Sequence, residues 1–407
     1  MAWRPTTAAL AAARAGNYGM VIREAREQQR LSQRTLAELC GTNQSTLSRQ
    51  LENRGDRSYP MDLLRRVATQ LEIPLRLVGL AESYAGQEGP TVQRRTFLTG
   101  AAALATAPLF QPGESGTQAA ALRVTTSAFR RLDASTPARD LVESARTHLR
   151  LIHAVSAGAV PDQRRALAGV ASETASFTGW LAWDMGDHGS ARANYGRSIE
   201  AARASGNDLL TAYQVGSLAQ FEAHSGNAPG CLTLAAKARR LLGHQAPPVA
   251  DAWLYGTEAL GHAIDGDADT CDEALRHSAR IASTLTDDQP PPWPWVFAFD
   301  EAKVDAIRAA CGARLERPSW TLANSSAILA GAHVKQRALA LLDLAQAHLS
   351  VGRLDSGFAL ATQAVDTGLA YQSGRIVERA RTVRRTVPTS TPAVVRAFDD
   401  RLHDVYL

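Results

Sequence analysis

Residues 31–52 read LSQRTLAELCGTNQSTLSRQLE, and this stretch decides how the N-terminal part of the chain folds. Ser32 has the short polar side chain that caps a helix start. Gln33–Leu39 follows as a short helix, with Leu36, Ala37 and Cys40 turned inward. Gly41 suits the left-handed turn that ends a helix. Thr42 is placed to cap a third segment, Asn43–Leu51, in which Leu47 and Leu51 stand four residues apart on the buried side. Two short helices around a glycine-containing turn are what a helix-turn-helix requires. The second of them is polar outside, where Asn43, Gln44, Ser45, Ser48 and Arg49 stand. Such side chains read base edges in the major groove, amides pairing with adenine and arginine with guanine.

Outward from this core, Met20–Arg30 carries Ile22, Ala25 and Arg26 near one face. Pro60 opens a fourth helix over Met61–Leu71, with Leu64, Val67, Ala68 and Leu71 apolar, and Ile73, Leu75, Leu77 and Leu80 supply a last short one. The spacing predicts a five-helix module over residues 18–82. It closely resembles the phage-repressor-like (XRE or Cro/CI-type) DNA-binding domain. The residues carrying the resemblance are Arg26, Leu31-Ser32-Gln33, Leu36-Ala37, Gly41, Thr46-Leu47-Ser48-Arg49, Leu51-Glu52 and Pro60.

The resemblance implies that Gln33 touches backbone phosphate or a base edge and that the exposed residues of the third helix read bases. It also implies a structural ion pair between Arg26 and Glu52, which keeps both out of the DNA contacts. One departure matters: residues 48–54 run a residue or more longer than the usual pattern. Whether Arg49 or Gln50 faces DNA is therefore open. Arg54 and Arg57 on the next loop are expected at phosphates, or else as solvated loop charges.

Charge agrees with a DNA-binding head. Residues 1–80 hold twelve Arg against seven Asp plus Glu, a balance of +5, whereas the whole chain carries +4, so the other 327 of 407 residues sum to −1. A small basic module on a near-neutral body suits a polyanion partner, here double-stranded DNA. With 45% apolar and 21% charged residues, wholesale disorder is excluded. Cys40, Cys231, Cys271 and Cys311 form no CxxC pair and have no His at zinc spacing, so a reducing, cytoplasmic setting with no metal or other cofactor is expected. No stretch approaches 18 uninterrupted apolar residues, so no membrane span is expected. GxxxxGK[ST], GxGxxG, HExxH and GxSxG are all absent, and no enzymatic role is expected.

Residues 83–120 read as a linker containing an apolar helix. Arg94-Arg95-Thr96-Phe97-Leu98 followed by Thr99–Phe110 resembles a twin-arginine export signal. Its place after a DNA-binding module and the Pro108 behind the cleavage-like Ala105-Thr106-Ala107 argue against export. An apolar helix packing on the body or on a second subunit is expected instead.

Residues 121–407 repeat. A glycine marks the turn between two helical stretches at Gly186, Gly226, Gly266 and Gly352. Seven residues earlier stand Gly179, Ala219, Ala259 and Ala345; five later, Ala191, Cys231, Cys271 and Gly357; twelve later, Ser198, Ala238, Ser278 and Ala364. Small residues in these columns let paired helices approach closely. They resemble the small positions of the tetratricopeptide repeat, which implies an all-α solenoid of helical hairpins with one degenerate unit near Cys311. The first helix of each unit would then turn Glu173, Trp180, Trp183, Tyr213, Gln220, His224, Trp253 and Gln346 inward. Of these, all but Glu173 are the candidate ligand face. Large aromatics at helical spacing are also what a core uses. Gln289–Trp295 reads as a stiff connector beside that groove. Arg375–Arg385 and Pro392–Val405 read as closing helices, the arginines of the first forming a solvated face.

The layout resembles regulators of high-GC bacteria and, in broader plan, the Rgg/PlcR type. This implies a transcription regulator that senses a peptide or small-molecule effector, dimerises, and binds palindromic or repeated half-sites. A body that is a protein-docking scaffold, with no diffusible ligand, is the alternative.

Overall fold

Of the two caps expected in residues 31–52, the one at Ser32 forms and the one at Thr42 does not. Ser32 Oγ accepts from the Thr35 amide at 3.0 Å, and Asn43, rather than Thr42, accepts from the Thr46 amide at 2.8 Å. Thr42 instead donates its amide to the Ala37 carbonyl, closing the turn in which Gly41 takes φ +63°. A computed structural model describes residues 3, 5–14, 16–53, 59–80, 117–243, 246–286, 293–295, 297–323, 325, 329, 333–388 and 392–403. Among these every regular element is a helix.

The head contains α1 (Thr7–Arg14), α2 (Tyr18–Gln28), α3 (Gln33–Leu39), α4 (Gln44–Leu47, continued by a π turn over Ser48–Glu52) and α5 (Met61–Gln70), with a 3₁₀ turn at Leu75–Val78. Val21, Ile22, Leu36, Leu47, Leu51, Leu64, Val67 and Leu71 fill its core. Trp3, Ala9 and Ala12 join that core, so the head takes in residues ahead of 18.

The body runs α6 (Thr117–Leu132), α7 (Ala138–Ala157), α8 (Pro161–Asp184), α9 (His188–Ala204), α10 (Asp208–His224), α11 (Ala228–Leu242), α12 (Pro248–Asp265), α13 (Ala268–Ala282), α14 (Glu301–Arg314), α15 (Pro318–Leu322), α16 (Val334–Ser350), α17 (Leu354–Ala370), α18 (Gly374–Arg385) and α19 (Ala393–Leu402). α8/α9, α10/α11, α12/α13, α14/α15 and α16/α17 pack as consecutive hairpins. Gly186, Gly226, Gly266 and Gly352 sit at four of the five turns with φ between +78° and +85°, a conformation that glycine adopts without strain. The small columns meet inside each hairpin: Ala191, Ala219, Cys231, Ala259, Cys271 and Ala345 are all fully buried. A Cβ at Gly179 would stand 3.3 Å from the Ala191 carbonyl.

The degenerate unit is the α14/α15 hairpin, whose turn is made by Glu316 at φ +54° in place of a glycine. The columns persist around it. Ala309, seven before, and Thr321, five after, are buried, and Thr321 Oγ1 donates to the Ala309 carbonyl at 3.0 Å.

The stack bends until its end meets its beginning. Lys335 on α16 is 1% exposed, and its Nζ donates to Asp133 Oδ1 at 2.8 Å and to Asp184 Oδ2 at 3.0 Å, joining α16 to the first helices of the body. Ser373, ahead of α18, donates to the other Asp184 oxygen at 2.7 Å. A buried lysine is stable only when so paired. No helix among the described residues is long and apolar enough to cross a membrane.

Candidate nucleic-acid interface and ligand face

Leu47 and Leu51, both fully buried, root the third helix in the head core and turn its other side outward. Asn43, Gln44, Ser45 and Arg49 are exposed there; Ser48 and Gln50 are half-buried. The extra length after Leu47 is absorbed by the π turn, closed by the Asn53 amide donating to the Ser48 carbonyl at 2.8 Å. Of Arg49 and Gln50, Arg49 is the more exposed, its Nε donating to the Ser45 carbonyl at 3.3 Å.

The candidate contacts are not equally available. The Gln44 side chain makes no hydrogen bond to another described residue. Asn43 Oδ1 serves as the cap and also accepts from Ser45 Oγ at 2.7 Å. Ser48 Oγ accepts from Asn53 Nδ2 at 2.7 Å, which ties it to the end of the π turn. Gln33 Nε2 donates to Glu52 Oε2 at 2.7 Å. Arg54 and Arg57 lie outside the described residues.

Glu52 is the hub behind the exposed face of α4. Its carboxylate is enclosed and takes Arg26 in a fork, Nε to Oε1 at 2.7 Å and Nη2 to Oε2 at 3.2 Å. Arg26 Nη1 also reaches the Leu31 carbonyl at 2.9 Å. The hydrogen bond to Glu52, with the charge behind it, holds the Arg26 guanidinium above its ordinary value. This expected ion pair thus fixes α2, the α3 entry and the π turn together.

Sequence reasoning missed how the head seats on the body. Arg192 Nη1 donates to the Tyr18 hydroxyl at 3.2 Å. Beside it the Gly189 amide donates to the Gly79 carbonyl at 2.6 Å. Gly79 has φ +66°, and a Cβ there would collide with the Tyr18 hydroxyl. Glu222 grips Arg192 through Nε and Nη2. Tyr18 is 2% exposed, and burial raises its phenol above the ordinary value. Nothing local in sequence marks a tyrosine and an arginine 174 positions apart as neighbours.

The expected ligand face divides. Tyr213 and Trp253 are buried, 5.7 Å apart, and Trp295 packs edge-on to both at 5.5 and 6.2 Å. Phe297 adds to that group, so the end of the proline-tryptophan run occupies the groove at these two positions. Trp180 and Trp183 meet edge to face at 5.3 Å, and Trp180 Nε1 donates to Asp133 Oδ2 at 2.8 Å. His224 is exposed, 5.2 Å from the Trp183 ring. Gln220 is half-buried. Gln346 Nε2 donates to the Ala313 carbonyl at 2.7 Å, and the residue also lines a separate cleft of about 190 Å³ between α14, α15 and α16. Glu173 pairs with Arg123 at 2.8 Å.

Among the arginines of α18, Arg385 is exposed as expected, whereas three others do not form a solvated face. Arg375 is buried against Trp180 and Trp183, Arg379 pairs with Asp343 at 2.6 Å, and Arg384 pairs with Asp399 at 2.5 Å. α8 provides the two tryptophans, α16 Asp343 and α19 Asp399.

Residues 22–78 match the family described as helix-turn-helix, and the head is an XRE-type domain of that class. The match covers α2 to the 3₁₀ turn and none of the body. No curated protein matches the chain.

Proposed function

We propose that the chain is a sequence-specific DNA-binding transcription regulator whose tetratricopeptide-like body senses a peptide or small-molecule effector and holds two heads together as a dimer. The observation that carries the reading is the exposed Gln44–Arg49 face, rooted by Leu47 and Leu51 within the matched helix-turn-helix. A single head of this size offers a small interface, so two heads on half-sites about one helical turn apart supply the affinity. The effector acts by preferring one spacing of the heads. The seat of the head on Gly189 and Arg192 supports such transmission, because it ties head position to the α8–α10 region. Nothing in this reading calls for catalysis.

The scaffold alternative, with no diffusible ligand, draws support from one observation: Trp295 and Phe297 fill the groove over Tyr213 and Trp253. Selection of bound duplexes from a random pool by the full-length chain tests the central reading. A paired motif of fixed spacing supports it. A pool left unenriched by both the full chain and an artificially dimerised head defeats it.

A further inference from the structure

Arg375 is nine-tenths buried, and two of its three guanidinium nitrogens make no hydrogen bond to the described residues. It lies 4.5 Å over the Trp183 ring and 4.7 Å over the Trp180 ring, with a tenth of its side chain exposed. The nearest carboxylate oxygen, Asp184 Oδ1, is 3.9 Å from Nε, beyond hydrogen-bond reach. That oxygen is already taken by Ser373, and its twin by Lys335. Nε and Nη2 of Arg375 therefore have no hydrogen-bond partner among the described residues. These two nitrogens form one edge of the guanidinium, the fork that takes a carboxylate through two parallel bonds.

The surroundings carry surplus positive charge. Arg314, at the end of α14, sets Nη2 3.4 Å from His224 Nδ1. The exposed edge of that ring is the open side of the site. Lys335, Arg314, Arg375 and Arg379 make four cations; Asp133, Asp184 and Asp343, which pair among them, make three carboxylates. Within this group the cations exceed the carboxylates by one.

We propose that this cluster, on the inner side of the closed stack where α8, α10, α14 and α18 converge, binds the carboxylate of a small organic acid. Arg375 and Arg314 receive the carboxylate, and Trp180 and Trp183 form the wall for the apolar part. Entry is past His224, whose exposed ring turns aside. The inference rests on the reading of the body as an effector sensor and names the chemical class of the effector.

Calorimetric titration of the full-length chain with sodium benzoate tests it, with benzamide as the uncharged counterpart and sodium chloride at matched ionic strength. A saturable response to benzoate alone is expected. It should weaken about tenfold or more in Arg375→Lys, which keeps a cation over the tryptophans but lacks the fork, and in Arg314→Gln. Thermal unfolding confirms that each variant is folded. Benzoate acting no better than benzamide or chloride, or binding Arg375→Lys as tightly as the parent, overturns the proposal. Repeating the titration with the selected DNA separates the two readings. Benzoate that binds without changing DNA affinity upholds the acid site and counts against sensing. A chain that selects its DNA but ignores benzoate overturns the acid site alone.

Discussion

The Tyr18 hydroxyl accepts a hydrogen bond from Arg192 Nη1 at 3.2 Å, and this one contact joins the first helix of the matched domain to the body. Arg192 lies 5.1 Å over Phe221, which meets Trp183 edge-on at 5.6 Å. A continuous chain of contacts therefore runs from the interior of the stack to the head. A double-mutant cycle with Tyr18→Phe and Arg192→Gln, read by urea unfolding, should give a coupling of about 0.5–1.5 kcal/mol. Exchange of the Gly189 amide should quicken in both single variants. A coupling of zero with unchanged exchange would mean that the head is not seated there.

Glu52 is enclosed and accepts from both Arg26 and Gln33. Glu52→Gln leaves the Arg26 guanidinium only the looser, exposed Glu27 at 3.4 Å, and breaking an enclosed pair of this kind costs about 3 kcal/mol. The loss should appear as a lower unfolding midpoint of the head, while base preference at the position read by Gln44 stays the same. Unchanged head stability would remove Glu52 from its role as hub.

Closure of the stack depends on Lys335. Replacing it with Met leaves Asp133 and Asp184 buried without their shared cation, so stability should fall by roughly 3–5 kcal/mol. Chemical denaturation measures the loss. A cost below about 1 kcal/mol, within the range of an exposed pair, would show that the ring does not close through this residue.

His188 sits against Phe221, and burial, then the Arg192 charge, lower its pKa from 6.5 to about 4. The folded chain keeps the neutral ring, whereas below pH 6.5 the unfolded chain takes up a proton. This contribution is complete above pH 6.5, falls as the pH drops, and is gone near pH 4, where the folded ring protonates too. Unfolding free energies across that range should decline less steeply in His188→Gln, by about 3 kcal/mol in total. Parallel profiles for the two proteins would contradict the assignment.

Local chemistry made the head and the hairpins legible. Ser32, Gly41, Leu47 and Leu51 define the helix-turn-helix because caps, turn and buried face are all set within a few residues. Four glycines and their flanking small residues mark four hairpins for the same reason. The fifth was expected only as a degenerate unit near Cys311, because Glu316 makes its turn and a left-handed non-glycine leaves no compositional signal. Side chains whose role depends on the bend of the whole stack were not legible. Arg375 and Arg379 look like surface charge in the sequence, because their partners Trp183 and Asp343 come from distant helices. Tyr213 and Trp253 look like a groove, because the packing of Trp295 is set by a connector, not by a repeat. The length of the third helix was visible, but its resolution into a π turn followed from the packing of Leu51.

The central claim is that the outward face of α4 reads bases, with Gln44 free to do so. Its most direct test is the affinity of the parent and of Gln44→Ala for the selected duplex and for a scrambled one, at two salt concentrations. The account predicts that Gln44→Ala loses about 1–3 kcal/mol of discrimination while scrambled binding and its salt slope hold. Equal losses on both duplexes, or none on either, would contradict the placement of this helix in the groove.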